Sequence, residues 1–280
     1  MSTLESQKQA CVLINRLMDN YTKTKAAIRP HFLVSGPSGV GKSFLLEQMA
    51  RQNKIGFINV NGAQLTREGI SGNSLSKALV ALEKYPNHPV IVFIDEFDKL
   101  FSNTGSDERS GVQHELIHII SSGTASVIGQ YGHYNDLNTS KVLFVLGGAF
   151  GGDENISMNK LLKMGIYPEL LGRVNLHIPL PALNVEDLIR SLNKDPLLMQ
   201  YFTANVINTK KGQREVKLAI AKQLRKVFQN NIIGYRLIQR LIHQYFLYEG
   251  KYPEEELIGF DLEDDTDDDI ELTKELNFKD

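Results

Sequence analysis

The sequence is poor in three features, and each shortage excludes a class of protein. Cys11 is the single cysteine, so an intramolecular disulfide is excluded and the chain suits a reducing compartment. No apolar run approaches the ~20 residues that a membrane-spanning helix needs, and no signal peptide opens the chain, so we expect a cytoplasmic protein. The formal net charge is −2, so no basic excess points to nucleic acid, although a local patch could lie within this total.

The remaining composition is that of an ordinary globular protein. Of the 280 residues, 42% are hydrophobic and 23% are charged. This is enough apolar material for one substantial core, or for a large and a small domain.

The stretch 31–43 contains the pattern G-x-x-x-x-G-K-[ST], between a short apolar run and a helix-prone run. Its glycines let successive N–H groups point inward around phosphate oxygens, and the helix N-terminus adds partial positive charge. Lys42 can reach the β- and γ-phosphates, and the Ser43 hydroxyl can ligate Mg²⁺. The residues predicted to bind a nucleotide are Gly36, Pro37, Ser38, Gly39, Val40, Gly41, Lys42, Ser43 and Phe44.

Apolar runs alternate with helical patterns up to Pro181, which predicts a three-layer parallel α/β sheet with right-handed crossovers. The run 90–94 is continuously apolar, which is typical of a strand buried on both faces. The predicted strands are 31–35, 56–60, 90–94, 142–146 and 174–178, and the predicted helices are 4–25, 43–52, 74–85 and 111–122.

Only helical patterns occur between residues 184 and 248. We therefore expect residues 1–181 to form a large α/β nucleotide-binding domain and residues 182–252 to form a small helical domain. Residues 253–280 are rich in Asp and Glu and are expected to form a flexible acidic tail, with a partner-binding acidic peptide as the alternative.

Two carboxylates, Asp95 and Glu96, follow the apolar run 90–94 directly. Negative charge at this place is costly unless a cation lies nearby. A Mg²⁺ ion bound to a nucleotide would supply this positive charge, if the strand that leads into the phosphate loop is the neighbour of the strand 90–94. Asp95, together with Ser43, would hold the metal, and Glu96 would orient and polarise the attacking water. A helix N-terminus that favours acids is the alternative, but it explains only one of the two.

The segment 94–100 resembles the Walker B segment of AAA+ ATPases, and specifically that of the ClpX unfoldases. The similarity extends in order over about residues 6–250. The other segments that carry it are Ser6–Ala10, Gly111–Gln113, Thr139–Phe150, Pro168–Arg173 and Gly234–Arg236.

The resemblance implies a P-loop AAA+ domain followed by a helical lid, with ATP and Mg²⁺ bound between them. Lys42, Asp95 and Glu96 would act in catalysis. Arg173 would be an arginine finger that acts on the γ-phosphate of the neighbouring subunit, and Arg236 would be the sensor-2 arginine. The active form would then be a ring, expected to be a hexamer. Without the resemblance, Arg173 would be an arginine in a Gly-Arg turn that forms a salt bridge, and Arg236 would be a residue on a helix surface.

The sequence differs from those of ClpX in two features that relate to a peptidase partner. From where the sequence begins we expect no zinc-binding N-terminal domain like that of ClpX, and no peptidase-docking insertion is recognisable between residues 151 and 165. An Ile-Gly-Phe tripeptide occurs at 258–260, outside the matching position. We therefore expect protein remodelling without a peptidase.

Further departures concern the loops that grip substrate. The pore loop of the family is Gly-aromatic-apolar-Gly, whereas this chain has Gly-Ile-Ser-Gly at 69–72, so Ile70 is expected to contact the protein substrate. A second pore loop is expected near 105–110, with Arg109 as its charge. The basic substrate loop of ClpX is not recognisable at 130–134.

His114 and His118 belong to an H-E-x-x-H sequence, the signature of zinc proteases. This sequence lies on the helix after the Walker B segment, and no third ligand follows at a usual spacing. We therefore expect two exposed or interface histidines rather than a zinc site.

Three functions stay open at this point. The first is an ATP-driven protein unfoldase or remodeller. The second is a motor acting on nucleic acid or a nucleoprotein assembly, although basic and aromatic residues are little interleaved. The third is a nucleotide-gated scaffold with slow hydrolysis, because Leu146-Gly147-Gly148 has no polar sensor side chain.

Overall fold

The structure, a computed structural model, describes residues 4–66, 74–101, 107–128, 134–152, 156–231 and 233–252, together with Leu276. Some predictions concern positions outside this part of the chain. They are the Ile70 loop, the side chain of Arg109, most of the loop 130–134, the tripeptide 258–260 and the tail 253–280 apart from Leu276.

Seven strands lie within the described residues, and five of them form one parallel sheet. The strands are β1 (Phe32–Ser35), β2 (Gly56–Asn61), β3 (Val90–Asp95), β4 (Thr124–Ile128), β5 (Tyr134–Asn138), β6 (Val142–Gly148) and β7 (Leu176–Pro179). The order in the sheet is β2-β3-β6-β1-β7. With helices flanking this sheet and a helical region following it, the predicted P-loop α/β class is confirmed.

The position of each strand in the sheet follows from its sequence. β1 and β6 are buried at every position, and β3 is buried at all but its last, as expected for strands covered on both faces. β2 and β7 lie at the two edges and include exposed residues.

The expectation that β3 lies beside the phosphate-loop strand is wrong. β6 separates β3 from β1 and pairs in parallel with both, so that Val145 lies opposite Phe32 on one side and Phe93 on the other. The physical reason is that all seven residues of β6 are buried, which requires a neighbouring strand on each side.

The helices differ from the predictions mainly at their ends. Helix 74–85 is α-helical only to Leu79 and continues as a 3-10 helix, Val80–Lys84. The last predicted strand begins two residues late, because Val174 N donates to Leu170 O (2.9 Å) and prolongs the preceding helical turn. The helices are α1 (Lys8–Lys23), α2 (Lys42–Gln52), α3 (Leu75–Leu79), α4 (Asp107–Ser122), α5 (Met158–Lys163), α6 (Pro168–Leu171), α7 (Val185–Ser191), α8 (Pro196–Ala204), α9 (Lys210–Val227) and α10 (Arg236–Leu247).

A hairpin that the sequence analysis did not predict follows α4. β4 and β5 pair antiparallel as a separate two-stranded sheet. Ser126 Oγ donates to Asp136 Oδ1 across the pair, at 2.6 Å.

The chain divides into two compact units. The sheet unit comprises Gln9–Pro37 and Gly41–Pro181, and the helical unit comprises Met1–Lys8, Ser38–Val40 and Ala182–Asp280. The core of the helical unit consists of apolar side chains from α7 to α10, among them Leu188, Ile220 and Leu241. Leu276 is buried in the same core, and Asn193 Nδ2 donates to its carbonyl oxygen at 2.7 Å.

None of the helices in the described ranges combines the length and the apolar character that crossing a bilayer requires.

The sheet unit contains a buried histidine, His31, which is 6% exposed. Its Nδ1 accepts a hydrogen bond from Phe144 N at 3.0 Å. Burial, and secondarily the charge of Arg29, lower the pKa of His31 from 6.5 to about 4. The ring is therefore neutral in the folded protein at neutral pH.

This lowered pKa predicts an acid-sensitive fold. Below the unfolded-state pKa of 6.5 the unfolded chain binds a proton that the folded chain does not, so the free energy of unfolding falls until the folded pKa is reached. Between about pH 7 and pH 5 the loss amounts to about 2 kcal/mol. His31→Asn keeps an acceptor for Phe144 N but does not titrate, so it should lose less stability over this range.

Chemical denaturation at both pH values measures the effect. His118→Gln is the matched control for the loss of a histidine, because His118 is exposed. An equal pH dependence in wild type and His31→Asn would contradict the assignment.

Candidate functional site

The phosphate-loop pattern lies between β1 and α2, as the sequence indicates. Gly41 precedes α2 at φ 88° and ψ 26°, in the left-handed region that glycine adopts without steric cost. It has no side chain to cap the helix, so the first N–H groups of α2 are available to an anion. Phe44, on the first turn of α2, is 58% exposed.

The side chain of Lys42 forms hydrogen bonds with the backbone of the phosphate loop. This side chain is buried, and Nζ donates to Gly36 O at 2.8 Å and to Pro37 O at 3.0 Å. Phosphate oxygens are stronger acceptors for an ammonium group than neutral carbonyls, because the hydrogen bond is then charge-assisted on both sides. Lys42 is thus placed where a bound phosphate could take over these hydrogen bonds.

Ser43 and Asp95 are in direct contact. Ser43 Oγ donates to Asp95 Oδ2 at 2.6 Å, although the two residues are 52 positions apart. A hydroxyl and a carboxylate oxygen are ligands of the kind that Mg²⁺ prefers. The two residues predicted to hold the metal therefore lie together.

Glu96 is exposed and lies in an unusual backbone conformation. Its φ and ψ are 52° and 33°, in the left-handed region that few residues other than glycine, Asn and Asp enter. Its N–H donates to Asp95 Oδ1 at 2.9 Å, so both oxygens of Asp95 are used at this turn.

The carboxyl end of β6 lies between these groups and contains two glycines. A Cβ on Gly147 would lie 2.3 Å from the ring of Phe93, and one on Gly148 would lie 2.5 Å from Asp98 Oδ1. Gly148 O accepts a hydrogen bond from Gly36 N at 3.2 Å, which ties this end of β6 to the phosphate loop. The lack of a polar side chain here has a steric cause.

Arg173 lies apart from Lys42, Ser43 and the carboxylates in its contacts. It is exposed, and its Nε donates to Ser121 Oγ at 2.7 Å while Nη1 donates to Glu169 O at 2.7 Å. Both of these partners are neutral groups of the sheet unit.

The helical unit holds Arg236 together with three residues of the loop, Ser38–Val40. Arg236 is exposed, and Nη1 donates to Ser38 Oγ at 3.0 Å. Tyr235 N donates to Gly39 O at 2.9 Å. Gln7 Nε2 donates to Val40 O at 3.0 Å.

The H-E-x-x-H sequence lies on α4, and both histidines are exposed. The His114 ring packs against Tyr167 with the centroids 4.8 Å apart. Glu115 Oε1 accepts hydrogen bonds from Ser76 N, at 2.9 Å, and from the Ser76 hydroxyl. No group of three metal-ligating side chains lies within the described residues.

Two further polar residues of the sheet unit were not identified from the sequence. His177 Nε2 hydrogen-bonds Ser35 Oγ, the residue before Gly36, at 2.7 Å, and burial lowers the pKa of His177. Asp98 is 8% exposed, and its Oδ2 accepts from Phe150 N at 3.3 Å. Asp98 lies in the segment 94–100 that resembles the Walker B segment, but no role was predicted for it there.

Comparison with known proteins finds a family match over the part of the chain that contains these residues. The family model "ATPase family associated with various cellular activities (AAA)" matches residues 32–148, a range that includes Lys42, Ser43, Asp95 and Glu96.

Curated relatives match a larger share of the chain. The ATP-dependent Clp protease ATP-binding subunit ClpX of Treponema denticola is 29% identical, over 62% of this chain and 54% of the relative. The subunits of the same name from Borrelia duttonii and Borrelia recurrentis are each 28% identical, over 62% of this chain and 52% of the relative. The chain thus spans about half the length of the curated relatives it matches. Residues 32–148 are thus similar to AAA ATPases, and the chain is similar to the ClpX subunits over 62% of its length.

Proposed function

We propose that this chain hydrolyses ATP, and that it forms rings which use the hydrolysis to unfold or remodel protein substrates. The observation that carries the proposal is the direct contact of Ser43 Oγ with Asp95 Oδ2, 2.6 Å apart, at the end of a phosphate loop. A Gly-rich turn with a purely structural role would not need a hydroxyl and a carboxylate at this distance.

The loop residues fit a nucleoside triphosphate and a divalent cation. Lys42 would exchange its carbonyl partners, Gly36 O and Pro37 O, for phosphate oxygens. Ser43 and Asp95 would hold Mg²⁺, which when bound supplies positive charge against the charge that develops on the phosphates.

Glu96 would orient and polarise the attacking water. Its side chain is exposed at the carboxyl end of β3, next to Asp95. A carboxylate in this place can accept a hydrogen bond from water and receive its proton during attack.

Arg173 would act on a phosphate held by the neighbouring subunit. It is exposed, and its contacts with Ser121 and Glu169 O orient the guanidinium without neutralising it. The partner site would belong to another copy of the chain, which is why we propose a ring, with six subunits expected. Arg236, beside Ser38, would sense the nucleotide bound in its own subunit.

A protein substrate is proposed because the relatives are named as the ATP-binding subunits of a protease. Ile70 would contact this substrate in the central pore. We further propose that the ring works without a peptidase, because the segment 151–165, in which a docking insertion would lie, is short and includes α5 (Met158–Lys163). The location in the cell stays a prediction from the sequence.

A scaffold with slow hydrolysis is the second candidate. It is favoured by the end of β6, where Phe93 and Asp98 leave no space for a polar side chain on Gly147 or Gly148. The turnover number of the purified wild type distinguishes the two, since a motor requires sustained hydrolysis.

Replacing Glu96 by Gln tests the base. Glu96→Gln cannot accept a proton from water but keeps the shape of the side chain, so we expect retained ATP binding and a loss of turnover of at least about 100-fold. Phosphate release and the Kd for a fluorescent ATP analogue measure the two effects. Glu83→Gln is the matched control, because Glu83 is exposed in the 3-10 helix 80–84. Unchanged hydrolysis in Glu96→Gln would refute the assignment.

Subunit mixing tests the arginine finger. Arg173→Ala should fold normally, and its turnover number should fall by about 10³- to 10⁵-fold. This is the range by which an arginine finger accelerates phosphoryl transfer. Lys42→Ala should lose nucleotide binding but still present Arg173 to its neighbour. In an equal mixture, about a quarter of the interfaces pair an intact loop with an intact finger, so activity should partly return.

Native mass spectrometry shows whether rings of mixed composition have formed. Arg190→Ala, which removes another exposed arginine, should leave turnover unchanged. Mixed rings without any recovery of activity would rule out a finger acting between subunits.

A further inference from the structure

Two turns at the carboxyl edge of the sheet unit have strained backbones. Glu96 follows β3 at φ 52°, and Phe150 follows β6 at φ 47°. Such conformations are uncommon for these residue types and persist only where the surrounding structure imposes them. The contacts that impose them therefore also decide where the Glu96 carboxylate points.

One side of the Glu96 turn is fixed by close backbone packing. A Cβ on Gly62, at the end of β2, would lie 2.7 Å from Asp95 O and 3.2 Å from Phe97 Cα. Only glycine allows the two backbones to approach this closely. Lys99 N closes the turn by donating to Glu96 O at 3.0 Å.

The other side is fixed by Asp98. This carboxylate is buried, its Oδ2 accepts from Phe150 N at 3.3 Å, and its Oδ1 fills the space in which a Cβ of Gly148 would lie. Asp98 thus connects the strained turn after β3 with the strained turn after β6. Gly148 O in turn accepts from Gly36 N, the first glycine of the phosphate loop, at 3.2 Å.

We propose that Asp98 is a positioning residue for ATP hydrolysis. Through its contacts with the end of β6, it fixes the position of the Glu96 turn relative to the phosphate loop. The hydrogen bond between its buried carboxylate and Phe150 N would keep the Glu96 carboxylate aligned. A polar side chain on β6 would otherwise have this role. This inference rests on the proposed function. It adds a residue that would act through the Glu96 turn.

The test compares two variants of Asp98. Asp98→Ala loses the acceptor for Phe150 N, so Glu96 should be misplaced and kcat should fall by about 10- to 100-fold. The KM for ATP and the Kd for a slowly hydrolysed ATP analogue should stay within about threefold, because the phosphate loop is intact. Asp98→Asn keeps an acceptor oxygen and should recover most of kcat.

The opposite end of the same strands offers a matched control. The Tyr21 hydroxyl accepts from Val90 N, at 2.9 Å, where β3 begins, and donates to Lys141 O just before β6. Tyr21→Phe therefore removes a buried hydrogen-bonding group that joins the same two strands far from the Glu96 turn. It should lower the unfolding temperature and leave kcat unchanged well below that temperature.

A second variant covers the case in which Asp98→Ala does not fold. Gly148→Ala retains the carboxylate but displaces it, since the new Cβ would lie 2.5 Å from Oδ1, and kcat should fall again with the Kd unchanged.

Three results would decide against the proposal. A normal kcat in Asp98→Ala, or in Gly148→Ala, while the wild type hydrolyses ATP would overturn the role of Asp98 alone. A parallel loss of kcat in Tyr21→Phe would show a general effect of stability and would also overturn it. A wild type that binds ATP without turnover would overturn the proposed function, and this inference with it.

Discussion

The hydrogen bond between Ser43 Oγ and Asp95 Oδ2 joins two parts of the sheet unit that are not neighbours. Ser43 follows the loop after β1 and Asp95 ends β3, and β6 lies between these strands. The bond, 2.6 Å long, can form only if the end of β6 does not obstruct it. Gly147 and Gly148 meet this condition because they have no side chains. Phe93 and Asp98 occupy the space that a Cβ on these glycines would need. The contact between Ser43 and Asp95 therefore depends on the small residues at the end of a strand that contributes neither partner.

The same arrangement restricts the positions of two carboxylate residues, Asp95 and Glu96. Asp95 accepts from Ser43 with one oxygen and from Glu96 N with the other, so its plane is fixed by two donors. Glu96 is restrained through its backbone instead, and its side chain remains exposed. This division suits the proposed roles, since a metal ligand benefits from a fixed orientation, whereas a base must reach a water molecule.

The sequence predicted features that depend on local pattern, and it failed where distant segments meet. The strand, loop and helix around Lys42 could be predicted, because glycine spacing and periodicity are local signals. The place of β6 could not, because strand order is decided by pairing between distant segments. The β4–β5 hairpin was missed because β5 (Tyr134–Asn138) is mostly polar and lacks an alternating pattern. Asp98 was missed because its partner, Phe150 N, lies 52 residues along the chain.

The contacts of Arg173 show how a residue could be prepared for a site that its own subunit does not contain. A long exposed side chain loses conformational entropy when it binds, and this loss weakens its interaction. Ser121 Oγ and Glu169 O already restrict the guanidinium, through two hydrogen bonds of 2.7 Å. Because both partners are neutral, the positive charge is not cancelled by a carboxylate among the described residues. A phosphate on an adjacent subunit would then meet a cation that is ordered in advance, which is the property that an interaction between subunits needs if it is to act in the transition state.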